Sequence, residues 1–73
     1  MEPRMHCYLK NFMDNKNLNI AQLSREIGVT ENAIRGYAQN RFSRIDNATA
    51  IKLCSFFGVS MGDMFQIQTA EQL

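Results

Sequence analysis

Apolar residues recur along this chain at intervals of three and four, in short blocks separated by polar and glycine-containing stretches, the pattern of amphipathic helices. The first block predicts a helix over about Arg4–Asn15, with Met5, Tyr8, Leu9, Phe12 and Met13 on one stripe. Pro3 precedes it, where a missing N–H costs nothing, and Asn15-Lys16-Asn17 closes it, with Leu18 packing inward just beyond. Asn19 and Gln22 have capping-box spacing and predict a second helix over Ile20–Ile27, with Ile20, Leu23 and Ile27 on one side. Gly28 ends that helix where the chain needs positive φ. Thr30 caps a third helix over Glu31–Ala38, with Ile34 and either Tyr37 or Ala38 inward.

A polar, irregular stretch from Gln39 to Ile45 follows. Asp46 is then the N-cap of a fourth helix, Asn47–Phe57, stapled by Ile45 and Ala50 and stopped by Gly58. Its inner face is Ala50, Leu53, Cys54 and Phe57. Ser60 and Asp63 form a second capping box for a short fifth helix, Met61–Gln66, carrying Met64 and Phe65. Gln68–Leu73 reads as a frayed or partner-dependent tail. This reading contains no strand-like alternation, so the expected class is all-α, five short helices.

Length and composition narrow the function. The chain has 73 residues, enough for a single domain with its core over about residues 4–66 and a tail over 67–73, and too few for the cleft and lid of an ordinary enzyme. No enzymatic constellation is present, and no cofactor or small-molecule ligand is expected. At 45% hydrophobic the chain is expected to fold, and no apolar run approaches the roughly 18 residues of a membrane span. The two cysteines, Cys7 and Cys54, lack CxxC spacing and sit in apolar segments, which suits core packing in a reducing compartment. A cytoplasmic, soluble domain is the expectation. His6 and Cys7 are adjacent and two ligands cannot close a tetrahedral site, so no metal is expected.

The net charge of +1 hides an uneven distribution. Residues 25–45 carry a net +2 and residues 46–73 a net −2, and Asn32–Ile45 holds three arginines and no acid. A basic middle suits a polyanion met by one face.

The segment from Ile20 to Tyr37 is the most specific. Two helices joined by about three residues around a glycine need a small residue where they cross, a positive-φ residue at the turn, and apolar residues to lock the angle. Ser24, Gly28 and the set Leu23, Ile27, Val29 and Ile34 meet these demands, forming a helix-turn-helix. The run Asn19-Ile20-Ala21-Gln22-Leu23-Ser24-Arg25-Glu26-Ile27-Gly28-Val29-Thr30, then Ala33-Ile34-Arg35, resembles the Cro/repressor-type (XRE-like) helix-turn-helix transcriptional regulators. Arg44-Ile45-Asp46, Phe57-Gly58-Val59-Ser60 and Asp63-Met64-Phe65 extend the likeness over about residues 5–66.

The resemblance implies a five-helix, lambda-repressor-like DNA-binding domain, dimeric, acting on a double-stranded operator. The third helix would be the recognition helix, its first turn against base edges. Thr30, Glu31, Asn32, Ala33 and Arg35 would be the base contacts. Asn32 can pair with adenine, Glu31 can accept from a cytosine amino group, Ala33 can touch a thymine methyl, and Arg35 can take a guanine edge or a phosphate. Phosphate contacts would come from Asn19, Gln22, Tyr37 (a half-buried ring with a wet hydroxyl), Arg41, Ser43 and Arg44. The family often opens its second helix with Thr-Gln, the Gln contacting the backbone and bracing the recognition helix; here Asn19 and Ile20 stand there, and Ile20 cannot donate.

Met61, Met64, Phe65, Ile67 and Leu73 exceed the needs of a closed monomer core, so Met61, Met64, Phe65 and Ile67 are the expected homodimer surface. The leading reading is a DNA-binding regulator, a repressor, reading a near-palindromic operator through helix 31–38. The alternative is a protein-interaction module, such as an antitoxin or antirepressor, with a protein partner, because fold does not fix function.

Overall fold

The computed structural model describes residues 3–68. In order along the chain these form β1 (Arg4–Cys7), α1 (Leu9–Asn15), α2 (Ile20–Ile27), α3 (Glu31–Ala38), α4 (Asn47–Phe57), α5 (Met61–Met64) and β2 (Phe65–Gln68). Each helix places one apolar side chain at the centre: Leu9, Leu23, Ile34, Leu53 and Met64 are all fully buried. Fully burying side chains of this size stabilises by about 1.5–3 kcal/mol each, so the five form the common anchor. Cys7, Met13, Tyr37, Ala50, Cys54 and Phe65 complete the buried apolar set, and Thr49 is buried beside them.

The helix boundaries follow from local chemistry. Asn19 and Gln22 exchange backbone–side-chain hydrogen bonds of 2.8 and 2.9 Å at the start of α2, and Ser60 and Asp63 do the same at α5. Thr30 caps α3 through the Ala33 amide and Asp46 caps α4 through the Thr49 amide. Gly28 and Gly58 take left-handed conformations, φ 70° and 66°, past the ends of α2 and α4. Ser24 does more than make room in the turn, because its hydroxyl donates to the Val29 carbonyl at 2.6 Å and ties α2 to the segment entering α3.

Two expectations are corrected at the chain's ends. Arg4–Cys7 is not the first turn of a helix but a strand, antiparallel to Phe65–Gln68, so the fold is helical with a small two-stranded sheet instead of all-α. The fifth helix stops at Met64, and Ile67 and Gln68 belong to β2, not to a frayed tail; Leu73 and the remainder of that tail lie outside the described residues. The reason is the pairing itself. Cys7 faces Phe65 and Met5 faces Ile67 on one side of the sheet, while His6–Gln66 and Arg4–Gln68 occupy the other. Phe65-Gln66-Ile67-Gln68 alternates apolar and polar residues as a strand should. Met5 fits a helical stripe only by coincidence of spacing.

Asn40 joins this sheet to the helices. It sits just beyond α3 with φ 57°, a left-handed position more often taken by glycine. Its side chain does what glycine could not. The amide oxygen accepts the Cys7 N–H at 2.7 Å and the amide nitrogen donates to the Cys7 carbonyl at 3.2 Å, so Asn40 pairs with β1 as a third strand would. Tyr8 N–H donates to the Met64 carbonyl at 2.8 Å, and Gln68 Nε2 donates to the Tyr8 hydroxyl at 2.7 Å, closing the sheet from the other side.

Both cysteines are free and buried. Burial pushes the Cys7 thiol up to about 11, so it is a packing residue in its neutral form.

Replacing Asn40 by Ala should lower the unfolding free energy by about 1–3 kcal/mol, because two backbone groups of Cys7 lose their partner. Asn40→Gly should lose less than Asn40→Ala, since glycine suits the φ and gives up only the pairing; urea unfolding measures both. Asp46 generates a pH prediction. Hydrogen bonds from the Thr49 backbone N–H and hydroxyl hold its carboxyl below the ordinary value of 3.8. The folded state therefore gains stability from Asp46 above that value and loses it as pH falls through the lowered one. Asp46→Asn, which keeps a cap, should show a shallower fall of Tm with acidification below pH 3.8 than wild type.

Candidate nucleic-acid interface

The helix-turn-helix of α2 and α3 turns the outer face of α3 to solvent. Thr30, Glu31, Asn32 and Arg35 are exposed there and Ala33 is half-buried. Asn32, Arg35, Gly36 and Gln39 follow the spacing i, i+3, i+4, i+7 and so share one stripe. Together with Arg41 they line a shallow hollow of about 190 Å³. Gly36 keeps the hollow open by having no side chain.

The polar groups of this stripe are already linked. The Arg35 guanidinium donates to Asn32 Oδ1 at 2.9 Å and stands 3.8 Å from a Glu31 carboxylate oxygen. Arg41 donates to Gln39 Oε1. Arg35 thus orients the Asn32 amide and leaves its Nδ2 donors outward, while Glu31 offsets part of the Arg35 charge. The Thr30 hydroxyl oxygen is committed to the cap of α3, which fixes that side chain at the helix entrance.

The residues expected at phosphates are placed in three ways. Arg41, Ser43 and Arg44 are exposed in the loop after α3. Asn19 and Gln22 spend their side-chain oxygens on the capping box at the start of α2, so their amide nitrogens are the donors that remain. Tyr37 is the exception. It is 6% exposed, its ring packs against Phe42 and Phe65, and its hydroxyl accepts the Asp46 N–H at 2.8 Å. Tyr37 is a core residue that couples α3 to the start of α4, and the expectation of a phosphate contact is withdrawn because its polar end is turned to that joint.

Ile20 occupies the site at which related domains often have a glutamine brace. It packs against the core and lies beside Ala21, Ala38 and Gln39 in an apolar hollow of about 500 Å³ between α1, the start of α2 and the end of α3. Apolar contact at the end of α3 stands where a hydrogen bond would otherwise be. Gln39 and Gly36 were missed by reasoning from the sequence, although their spacing from Asn32 and Arg35 on a helix was the available signal.

The expected dimer surface is only partly a surface. Met64 is fully buried and Phe65 is 6% exposed, both inside a single chain, so they are removed from that set. Their burial follows from the turn of the chain out of α5 into β2, which drives both side chains under the sheet. Met61 and Ile67 remain outside, at 47% and 66% exposure.

Among the described residues no helix is long and apolar enough to cross a membrane. No curated protein matches the chain in sequence. The crystal structure of a "putative DNA-binding protein" from Bacteroides fragilis is similar in fold, with a TM-score of 0.70 at 19% identity, covering 86% of this chain and all of the other. The model of the Cro/C1-type helix-turn-helix DNA-binding domain matches residues 8–70. That match takes in every helix and the second strand, and the chain belongs to the Cro/C1-type helix-turn-helix family of DNA-binding domains.

Proposed function

We propose that this protein is a sequence-specific DNA-binding regulator of transcription that acts as a repressor, occupying its operator and blocking other proteins from it. The observation that carries the reading is the exposed stripe on α3, where Arg35 holds Asn32 with its amide donors outward and Arg41 stands at the far end. In a major groove, Asn32 reads an adenine edge and Arg35 a guanine edge or the adjoining phosphate. Thr30, Glu31 and Ala33 complete the base-facing turn, with Glu31 positioned to accept from a cytosine amino group. Asn19, Gln22, Arg41, Ser43 and Arg44 hold the backbone on either side.

Two copies reading a near-palindrome would set their recognition helices about 34 Å apart. Of the side chains expected at such a contact, Met61 and Ile67 are exposed; Met5 and Ile51 are exposed apolar residues as well. Among the described residues no strand pairs with the outer edge of β2, and the backbone groups of Ile67 face that edge toward a second copy.

Selection from a randomised duplex pool tests the function. Wild type should enrich a two-fold-symmetric site. Asn32→Ala should lose discrimination at one base pair per half-site, by about 1–3 kcal/mol, and Arg35→Ala should weaken binding as well as selectivity. Failure to enrich any sequence, or enrichment unchanged in both variants, would overturn the reading and direct attention to a protein partner.

A further inference from the structure

A second groove lies beside the recognition face, and the helix-turn-helix does not account for it. It runs along the edge of β1 that β2 leaves open, with a volume of about 520 Å³. Arg4, Met5 and His6 line it from the strand, and Asn40, Ser43 and Arg44 from the loop after α3. No acidic residue lines it, and neither Arg4 nor Arg44 has an ion pair among the described residues. Asp46, the nearest acid in the loop, is engaged with Thr49 as the cap of α4.

The backbone adds to this set of donors. Cys7 directs its N–H and C=O away from β2, to Asn40. In an antiparallel strand the residue two positions earlier points its groups the same way, so the Met5 N–H and C=O both face the open edge, and the N–H is the one suited to an anion. Two arginines, a histidine and a serine therefore line one concavity, with Phe42 and Ile45 as its apolar part and the Met5 N–H at its edge, an arrangement suited to the oxygens of a polyanion. The loop is shared with the recognition face: Arg41 faces the hollow on α3, while Ser43 and Arg44 face the groove.

We infer that this groove holds backbone phosphates of the DNA that flanks the base pairs read by α3, with β1 as a second phosphate-contacting element. The inference rests on the DNA-reading function proposed above. It assigns to Arg4 and His6 a binding role, and it explains why the edge of β1 is stapled at Cys7 yet left open at Met5. A strand carrying Arg4 adds sequence-independent affinity and no base discrimination.

The test compares wild type, Arg4→Gln, Arg4→Lys and Arg4→Gln/His6→Gln on the duplex enriched by wild type, both with flanking base pairs and trimmed to the enriched site. Arg4 is exposed, so equal thermal melts should confirm that the variants fold. On the flanked duplex, Arg4→Gln should flatten the slope of log affinity against log salt by about 0.9, the value for one phosphate contact. It should also weaken enriched and random flanked duplexes by the same factor, about three- to tenfold across ordinary salt concentrations. Arg4→Lys should restore most of the slope, and the double variant should weaken binding further. On the trimmed duplex the variants should match wild type. If wild type reads a sequence but Arg4→Gln keeps the full slope on the flanked duplex, the groove is not a phosphate site and the recognition function stands. If wild type binds no duplex, both proposals fall together.

Discussion

The double hydrogen bond between the Asn40 side chain and the Cys7 backbone is the contact on which the arrangement depends. Three requirements meet at that residue. The chain must leave α3 through a left-handed conformation, the first strand must find partners for its outward backbone groups, and α3 must be held against the sheet. Glycine would satisfy only the first. Asparagine tolerates the left-handed region better than other residues with a side chain and carries an amide with the same donor–acceptor pair as a peptide group. Replacing either Cys7 group's partner with nothing would leave a polar group beside a cysteine that is 1% exposed, where lost hydration is not recovered.

Around that joint, the helix-turn-helix is held mainly by contacts between residues close in sequence. The bonds that fix α2 and α3 span three to five residues: Asn19 with Gln22, Ser24 with Val29, Thr30 with Ala33. Tyr37 reaches further, from α3 to the Asp46 amide, and so couples α3 to the cap of α4. The outer stripe of α3 therefore stands on a base fixed from below by Ile34 and Tyr37 and at its end by Asn40. The base-reading role proposed for Asn32 requires a base of that kind, since a bidentate contact to a base edge fails if the helix can roll.

What could be read from the sequence divides along the same line. α2, α3 and α4 agree with their sequence-predicted limits because their signals are local: a capping residue, an apolar repeat of 3.6, a glycine or turn at the end. The exposed side of α3 was legible for the same reason. β1 was not, because what makes Arg4–Cys7 extended is Phe65–Gln68, some 60 residues away, and four residues carry too little periodicity to announce a strand alone. The inward turn of Phe65 depends on that same distant pairing, whereas the periodicity of α3 left the inward place open between Tyr37 and Ala38. Asn40 stood in a polar stretch with nothing local to distinguish it from its neighbours.

The pairing of Arg4 with Gln68 also orders events in time. Closing the sheet means bringing together segments separated by nearly the whole described chain, and the entropy of that closure is met only when the intervening helices have collapsed. The α2–α3 unit closes over a few residues and can form early, whereas the sheet, and the edge of β1 with it, completes last and is the first part able to open from the native state. Opening there would release Cys7 and Phe65 while Leu23 and Ile34 stay packed. On that separation of contacts, the helix-turn-helix and the rim latched by the sheet should differ in local stability within one small core.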